Sequence, residues 1–230
     1  MAKNIYLVGG SKGGVGKSLV TMAVVDYLQE QGQAVLLIES DTANPDVWKN
    51  YKDATPTELV NLDEADGWIV LVNLCDAHPD HVVVINSAAR NNLGVSAYGD
   101  TLNGTLAELK RKLVTLWVIN RQRDSLELLR EFMDALPNAA VHVVRNGYFG
   151  EEGKFELYNS SKRRAAVEER GGRSVTFPEL ADRVSDDIYS QRLSIAAAAR
   201  ALPIGNRAEL ARWRGAVKKM LGAIVADGHE

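Results

Sequence analysis

Cysteine is nearly absent. Cys75 is the only thiol in 230 residues, so no disulfide can form within the chain and a disulfide-stapled secreted scaffold is excluded. A reducing cytoplasm is the expected compartment. No apolar run approaches the roughly 20 residues that span a bilayer, and the amino terminus reads as a strand rather than a signal peptide. Neither sign of charge dominates: 27 Lys and Arg face 30 Asp and Glu, a net charge of −3. Whole-chain charge therefore gives no pointer to nucleic acid. The distribution is uneven, however, with 15 bases against 12 acids from Arg145 onward and 12 against 18 before it. His78, His81 and His142 form no metal-ligand spacing with Cys75, and there is no G-x-S-x-G elbow or hydrolytic triad. No repeat or low-complexity linker divides the chain, so 1–230 reads as one domain able to bury a sizeable core.

What is present is alternation. Apolar, β-branched runs at 5–8, 34–38, 69–74, 82–85, 113–119, 141–144 and 175–177 read as strands buried on both faces. Between several of them lie helical patterns, including 19–29 and 125–135, the latter with Leu126, Leu129, Phe132 and Met133 at helical spacing. Such order implies βαβ units: an α/β fold with a mainly parallel sheet and helices on both faces, three layers in all. Surface loops are expected at 147–153 and at Gly171-Gly172.

The first strand runs into Lys12-Gly13-Gly14-Val15-Gly16-Lys17-Ser18-Leu19. Glycines there let successive backbone N–H groups converge on phosphate oxygens at a helix N-terminus. Lys17 would reach the β- and γ-phosphates, and the Ser18 hydroxyl would ligate Mg²⁺. Position 11, where the ordinary P-loop has its first glycine, is Ser11, and an extra lysine follows. That pattern resembles the deviant Walker A loop of the ParA/MinD family of P-loop ATPases. The resemblance implies ATP and Mg²⁺ as cofactors and a homodimer in the ATP-bound state, with Lys12 reaching the partner's nucleotide. The iron-protein branch of that superfamily needs two cysteines per subunit, and this chain has one. The segments 118–121 and 146–150 are similar to the plasmid stability and conjugation branch (StbB/TraL-like).

Strand ends carry the remaining candidates, because ligands bind beyond the carboxyl ends of parallel strands. After the run at 34–38 come Glu39-Ser40-Asp41, matching the family's switch I segment. Asp41 takes the place of the aspartate that orients the attacking water, and it is a candidate metal ligand. After 82–85 the family expects the Walker B aspartate, but the residue is Asn86. A neutral amide holds Mg²⁺ more loosely. Either Asp41 or Glu39 supplies the missing carboxylate in a slow ATPase, or the chain is a nucleotide-gated adaptor with little hydrolysis. Residues 87–90 fall at switch II. The resemblance makes Asn146 the reader of the adenine edge, with Asn120 a competitor and the loop at Pro178 packing on the base.

Two surfaces invite partners. Lys162-Arg163-Arg164, with Arg170 and Arg173, is a basic cluster of the kind that holds DNA non-specifically, although Glu168 and Glu169 within it favour a solvated helix face. The segment 207–226 is amphipathic, with Leu210, Trp213, Val217, Leu221 and Ile224 on one face. A final core helix is favoured over peripheral docking on a membrane. The function expected is an ATP-dependent dimerising switch that positions DNA or a protein cargo through a protein partner.

Overall fold

A computed structural model describes residues 3–10, 13–88 and 92–225. Its sheet has seven strands: β1 (Ile5–Gly10), β2 (Val35–Glu39), β3 (Thr57–Leu59), β4 (Val82–Asn86), β5 (Leu113–Ile119), β6 (Ala140–Asn146) and β7 (Ser174–Phe177). Their order is β3-β2-β4-β1-β5-β6-β7, and every pairing is parallel. β1 is central, so the loop leaving it sits at the middle of the carboxyl edge.

Period-two alternation divides the core. Tyr6 and Val8, Val35 and Leu37, and Val82 and Val84 point to one face, where α1 (Lys17–Glu30), α8 (Asp182–Ser190), α9 (Ile195–Ala201) and α10 (Ile204–Val225) pack. Ile5 and Leu7, Leu36 and Ile38, and Val83 and Ile85 point to the other. There they meet α3 (Ala65–Ala77), α4 (Asn92–Asn103), α5 (Asp124–Ala135) and α7 (Lys162–Glu169). The remaining helices are short: α2 (Asp46–Tyr51) follows β2, and α6 (Glu156–Asn159) precedes α7. Both sheet faces are covered, as a parallel sheet requires.

The run at 69–74 is helix, not strand. It lies within α3, where Trp68, Leu71 and Cys75 are buried at helical spacing while Ile69 and Val70 face outward. A continuous apolar run fits either structure by pattern alone. The edge strand that precedes it, β3, is three residues long and carries Glu58, too short and polar to stand out. The expected loop at 147–153 contains two short 3₁₀ turns, Gly147–Phe149 and Glu152–Lys154.

The C-terminal helix starts at Ile204, three residues earlier than the pattern suggests, and is described to Val225; Ala226 lies outside the described residues. Its apolar face is core: Leu210, Trp213, Val217, Leu221 and Ile224 are all buried. Arg214 binds Asp26 of α1 through two bonds of 2.8 and 2.9 Å and pairs with Glu30 at 2.8 Å. No described helix is long and apolar enough to cross a membrane.

Candidate functional site

The loop packs back onto the end of β1 because Gly10 has no side chain there. A Cβ on Gly10 would lie 2.8 Å from the Val118 carbonyl and 3.0 Å from the Val15 side chain. Val15 fills that space and joins the core. Gly14 and Gly16 have φ of 77° and 101°, the left-handed region that glycine adopts at little cost. Gly16 is the residue from which α1 departs. Gly13 and Gly14 are exposed, and Ser18 and Leu19 are half-buried on the first turn.

Lys17 is buried at the start of α1. Burial pushes its ammonium down to about 8, against the charges of Asp41 and then Glu39, which hold it up. The two acids and the lysine thus form one electrostatic group at the carboxyl ends of β1 and β2. A triphosphate beside Lys17 would favour its charged form. The expected role of Lys12, like those of Ala89 and Arg90, falls on residues outside the described ones.

Asn86 sits inside a chain of hydrogen bonds linking three elements. The Thr21 hydroxyl lies 2.9 Å from the Lys17 carbonyl oxygen and 3.0 Å from Asn86 Oδ1. Asn86 Nδ2 donates to Glu39 Oε1 at 2.8 Å. Glu39 in turn accepts from the backbone N–H of Asp41 (2.9 Å) and of Val47 (3.2 Å). Glu39 is fully buried, and burial raises its carboxyl to about 7 despite those donors. Ser40 adds a parallel link, donating to the Asn86 carbonyl at 2.8 Å and accepting from the Ala88 N–H at 3.0 Å. The side chain of Glu39 therefore fixes the start of the 41–46 loop relative to α1. Asp41, half-buried, accepts from the Asn44 N–H at 3.2 Å.

These residues fit a magnesium nucleotide in one respect and depart from the family in another. Magnesium on a nucleotide keeps most of its waters and takes few protein ligands. Ser18 and Asp41 offer a hydroxyl and a carboxylate. Among the described residues, no group of three or more His, Cys, Asp or Glu forms a metal cage. Asn86 has one amide proton engaged by Glu39 and one lone pair engaged by Thr21, leaving a second lone pair on Oδ1.

A cavity of about 190 Å³ adjoins the loop, lined among others by Gly14, Gly16, Leu19, Asn146, Tyr148 and Pro178. It brings together the three regions assigned to the loop and the base, which are distant in sequence. Asn146 bridges them: Nδ2 donates to the Val15 carbonyl at 2.9 Å, and Oδ1 accepts from the Tyr148 N–H at 3.1 Å. It thus braces the loop as well as facing the cavity. Asn120 does not reach this cavity; its Oδ1 caps the turn before α5, accepting from Gln122 N–H and Ser125 Oγ, both at 2.9 Å. Pro178 is held by Trp213, whose indole N–H donates to the Pro178 carbonyl at 2.8 Å. A larger cavity, about 430 Å³, lies at the opposite end, where β5 and β6 begin, away from all of this chemistry.

Sequence reasoning missed Thr21 and Tyr148. Thr21 stands four residues after Lys17, one helical turn, and that spacing was the available signal. Tyr148 had none, since its place on the cavity rim depends on the turn at Gly147, where a Cβ would meet the Phe177 carbonyl at 2.6 Å. The basic cluster is partly occupied at home: Arg164 pairs with Glu168 at 2.7 Å, and Arg170 donates to the Met133 carbonyl at 3.0 Å.

The family model of the CobQ/CobB/MinD/ParA nucleotide binding domain matches residues 6–146. Protein MobD of Acidithiobacillus ferrooxidans is 79% identical over 227 residues, covering 99% of this chain and all of that protein. A protein TraL of Escherichia coli is 30% identical, over 85% of this chain and 94% of its own length. Among solved structures, the MinD cell division protein of Aquifex aeolicus superposes with a TM-score of 0.54 at 15% identity, over 91% of this chain and 95% of that one. That last likeness concerns the fold alone.

Proposed function

The chain belongs to the CobQ/CobB/MinD/ParA nucleotide-binding family, and on that premise we propose that it is an ATP-dependent dimerising switch that positions DNA or a protein cargo. The observation that carries the reading is the convergence of Gly14, Gly16 and Leu19 of the loop with Asn146 and Pro178 on one cavity, while Lys17 in the same loop is coupled electrostatically to Asp41 and Glu39. Bound ATP with Mg²⁺ supplies the phosphoryl group and the divalent charge that shields it. The N–H groups of residues 13–18 and the Lys17 ammonium hold the phosphates. Ser18 and Asp41 hold the metal, and Asp41 orients the water that attacks. Lys12 completes the partner's site across the dimer. Asn146 keeps an amide proton for the adenine edge while bracing Val15. The resemblance to the plasmid stability and conjugation branch, and the relatives MobD and TraL, support a cargo connected with plasmid maintenance or transfer. The work is done with a protein partner that binds DNA or activates turnover.

A second reading has its own support. Asn86 is locked between Thr21 and Glu39, which suits an adaptor that binds ATP and hydrolyses it poorly. Turnover and ATP-dependent dimerisation, measured by phosphate release and light scattering, separate the two. Wild type should dimerise with ATP, Lys17→Ala should lose both binding and turnover, and Lys12→Ala should bind ATP but remain monomeric. Dimerisation with no detectable phosphate release would favour the adaptor; ATP binding unaffected by Lys17→Ala would sink both readings.

A further inference from the structure

One surface has no part in the nucleotide site. Helix α3 buries Trp68, Leu71 and Cys75, and the turns between them carry apolar residues outward: Ile69 is 51% exposed and Val70 45%. Leu59, at the end of edge strand β3, is 44% exposed, and Leu93, in the first turn of α4, is 82% exposed. Exposed leucines scattered singly are ordinary, whereas a contiguous group marks a contact surface. Backbone contacts hold these elements together. A Cβ on Gly67 of α3 would lie 1.8 Å from the Asn61 carbonyl oxygen, and one on Gly94 of α4 would lie 1.9 Å from that of Leu62. The Trp68 indole N–H also donates to the Leu62 carbonyl, at 3.0 Å. The connector after β3 is thus clamped between the first turns of both helices.

The sequence of these elements is acidic, and the base that reaches the end of α3, Arg111, is buried against the Cys75 and His78 carbonyls. From position 53 to position 89 the sequence has seven Asp and Glu and no Lys or Arg. Glu58, Glu64 and Asp66 are exposed on β3, the connector and the first turn of α3. An apolar patch with a rim of carboxylates complements a helix that has one apolar face flanked by lysine and arginine. This chain's own helix of that description, α10, has its apolar face in the core, so it cannot be the occupant in a second copy. We propose that the outer face of α3, with the end of β3 and the start of α4, docks a basic amphipathic helix of a different protein.

The surface adjoins the nucleotide loops. The Val60 N–H donates to the Glu39 carbonyl at 3.0 Å, and α4 follows directly on the segment after β4. Nucleotide control of docking rests on the switch reading above; docking itself does not.

The test uses the full chain and a fluorescein-labelled amphipathic Leu/Lys peptide, with a scrambled peptide of the same composition as control. Anisotropy should show the amphipathic peptide binding, and the scrambled one binding about tenfold more weakly or worse. Ile69→Ser/Val70→Ser and Glu64→Lys/Asp66→Lys should each weaken binding by a similar factor. Hydrogen exchange should slow in β3, α3 and the start of α4. A fluorescent ATP analogue should bind all variants as it binds wild type, showing that the fold survives. Absence of peptide binding, equal binding of both peptides, or protection mapped elsewhere would overturn the proposal. So would a nucleotide-free dimer that Ile69→Ser/Val70→Ser dissolves, since the face would then belong to a second copy. Peptide docking without any ATP binding would leave this surface standing and remove the switch reading instead.

Discussion

At residue 86 an amide replaces the acid of the family pattern, and Glu39 supplies the physical reason. Asn86 Nδ2 donates to Glu39 Oε1 at 2.8 Å; an aspartate there would set two carboxylates against each other, and such a pair shares one proton. The one carboxyl of this pair stands on β2 instead of β4. Burial raises the Glu39 carboxyl from 4.5 to about 7, so the fold favours its neutral form. Its contribution to stability is fully present below pH 4.5 and is lost as pH rises through about 7. Asn86→Asp should therefore steepen that decline and cost about 1–3 kcal/mol in the nucleotide-free protein near neutrality. Adding Glu39→Gln to Asn86→Asp restores a single carboxyl and one carboxyl–amide hydrogen bond with the roles exchanged, and should recover most of the loss. Denaturant titrations on both sides of neutrality check this. An Asn86→Asp protein as stable as wild type at high pH, with an unchanged slope, would refute the exchange. The sequence made Lys17, Asp41 and Asn86 visible because each follows a strand or a glycine loop. It did not show that Asn86 and Glu39 share a hydrogen bond, since only the pairing of β2 with β4 brings them together.

At the scale of elements, chain order made β1, β2, β4, β5 and β6 legible, because each is a β-branched run buried on both faces. The segment 69–74 misled for a related reason: its exposed Ile69 and Val70 extend the apolar run across a helix whose buried residues are Trp68, Leu71 and Cys75. Periodicity reports burial, and an outward apolar pair erases the period. The glycine loop behaves as an element too, with its shape set by Gly16. There φ is 101°, and a Cβ would lie 2.3 Å from Asn146 Nδ2. Gly16→Ala should cost about 1–3 kcal/mol through strain and the displaced Asn146–Val15 bond, and should weaken nucleotide binding at least tenfold. Gly13→Ala, with nothing within 4 Å of the new Cβ, should leave stability unchanged. Thermal melts with nucleotide-binding titrations read both. Equal stability of the two variants would show that the conformation at Gly16 is not a constraint.

For the whole molecule, α10 decides between two fates of one amphipathic pattern. Its apolar face closes the layer over α1, Arg214 ties it to Asp26 and Glu30, and Trp213 holds Pro178 at the cavity. Truncation after Leu202 would leave that half of the core open to water. The shortened chain should lose cooperative unfolding and nucleotide binding together, as circular dichroism and calorimetry would record. A truncated protein that melts cooperatively, binds ATP and loses only liposome sedimentation would return the helix to a membrane role. Trp213→Ala is the finer probe, with an expected loss of about 3–5 kcal/mol for a buried tryptophan.

The sequence by itself determined the phosphate loop, the strands that alternate with helices, and the family, because these depend on local backbone chemistry and on short-range periodicity. Tertiary structure alone decided what joins across the sheet. Asn86 joins a chain of hydrogen bonds only once β2 lies beside β4, and Asn146 meets the loop only once β6 ends next to α1. The outward face of α3 becomes a surface only once the burial of its other side is known. Each of those relations is a contact between residues far apart in the chain, and no local pattern encodes it.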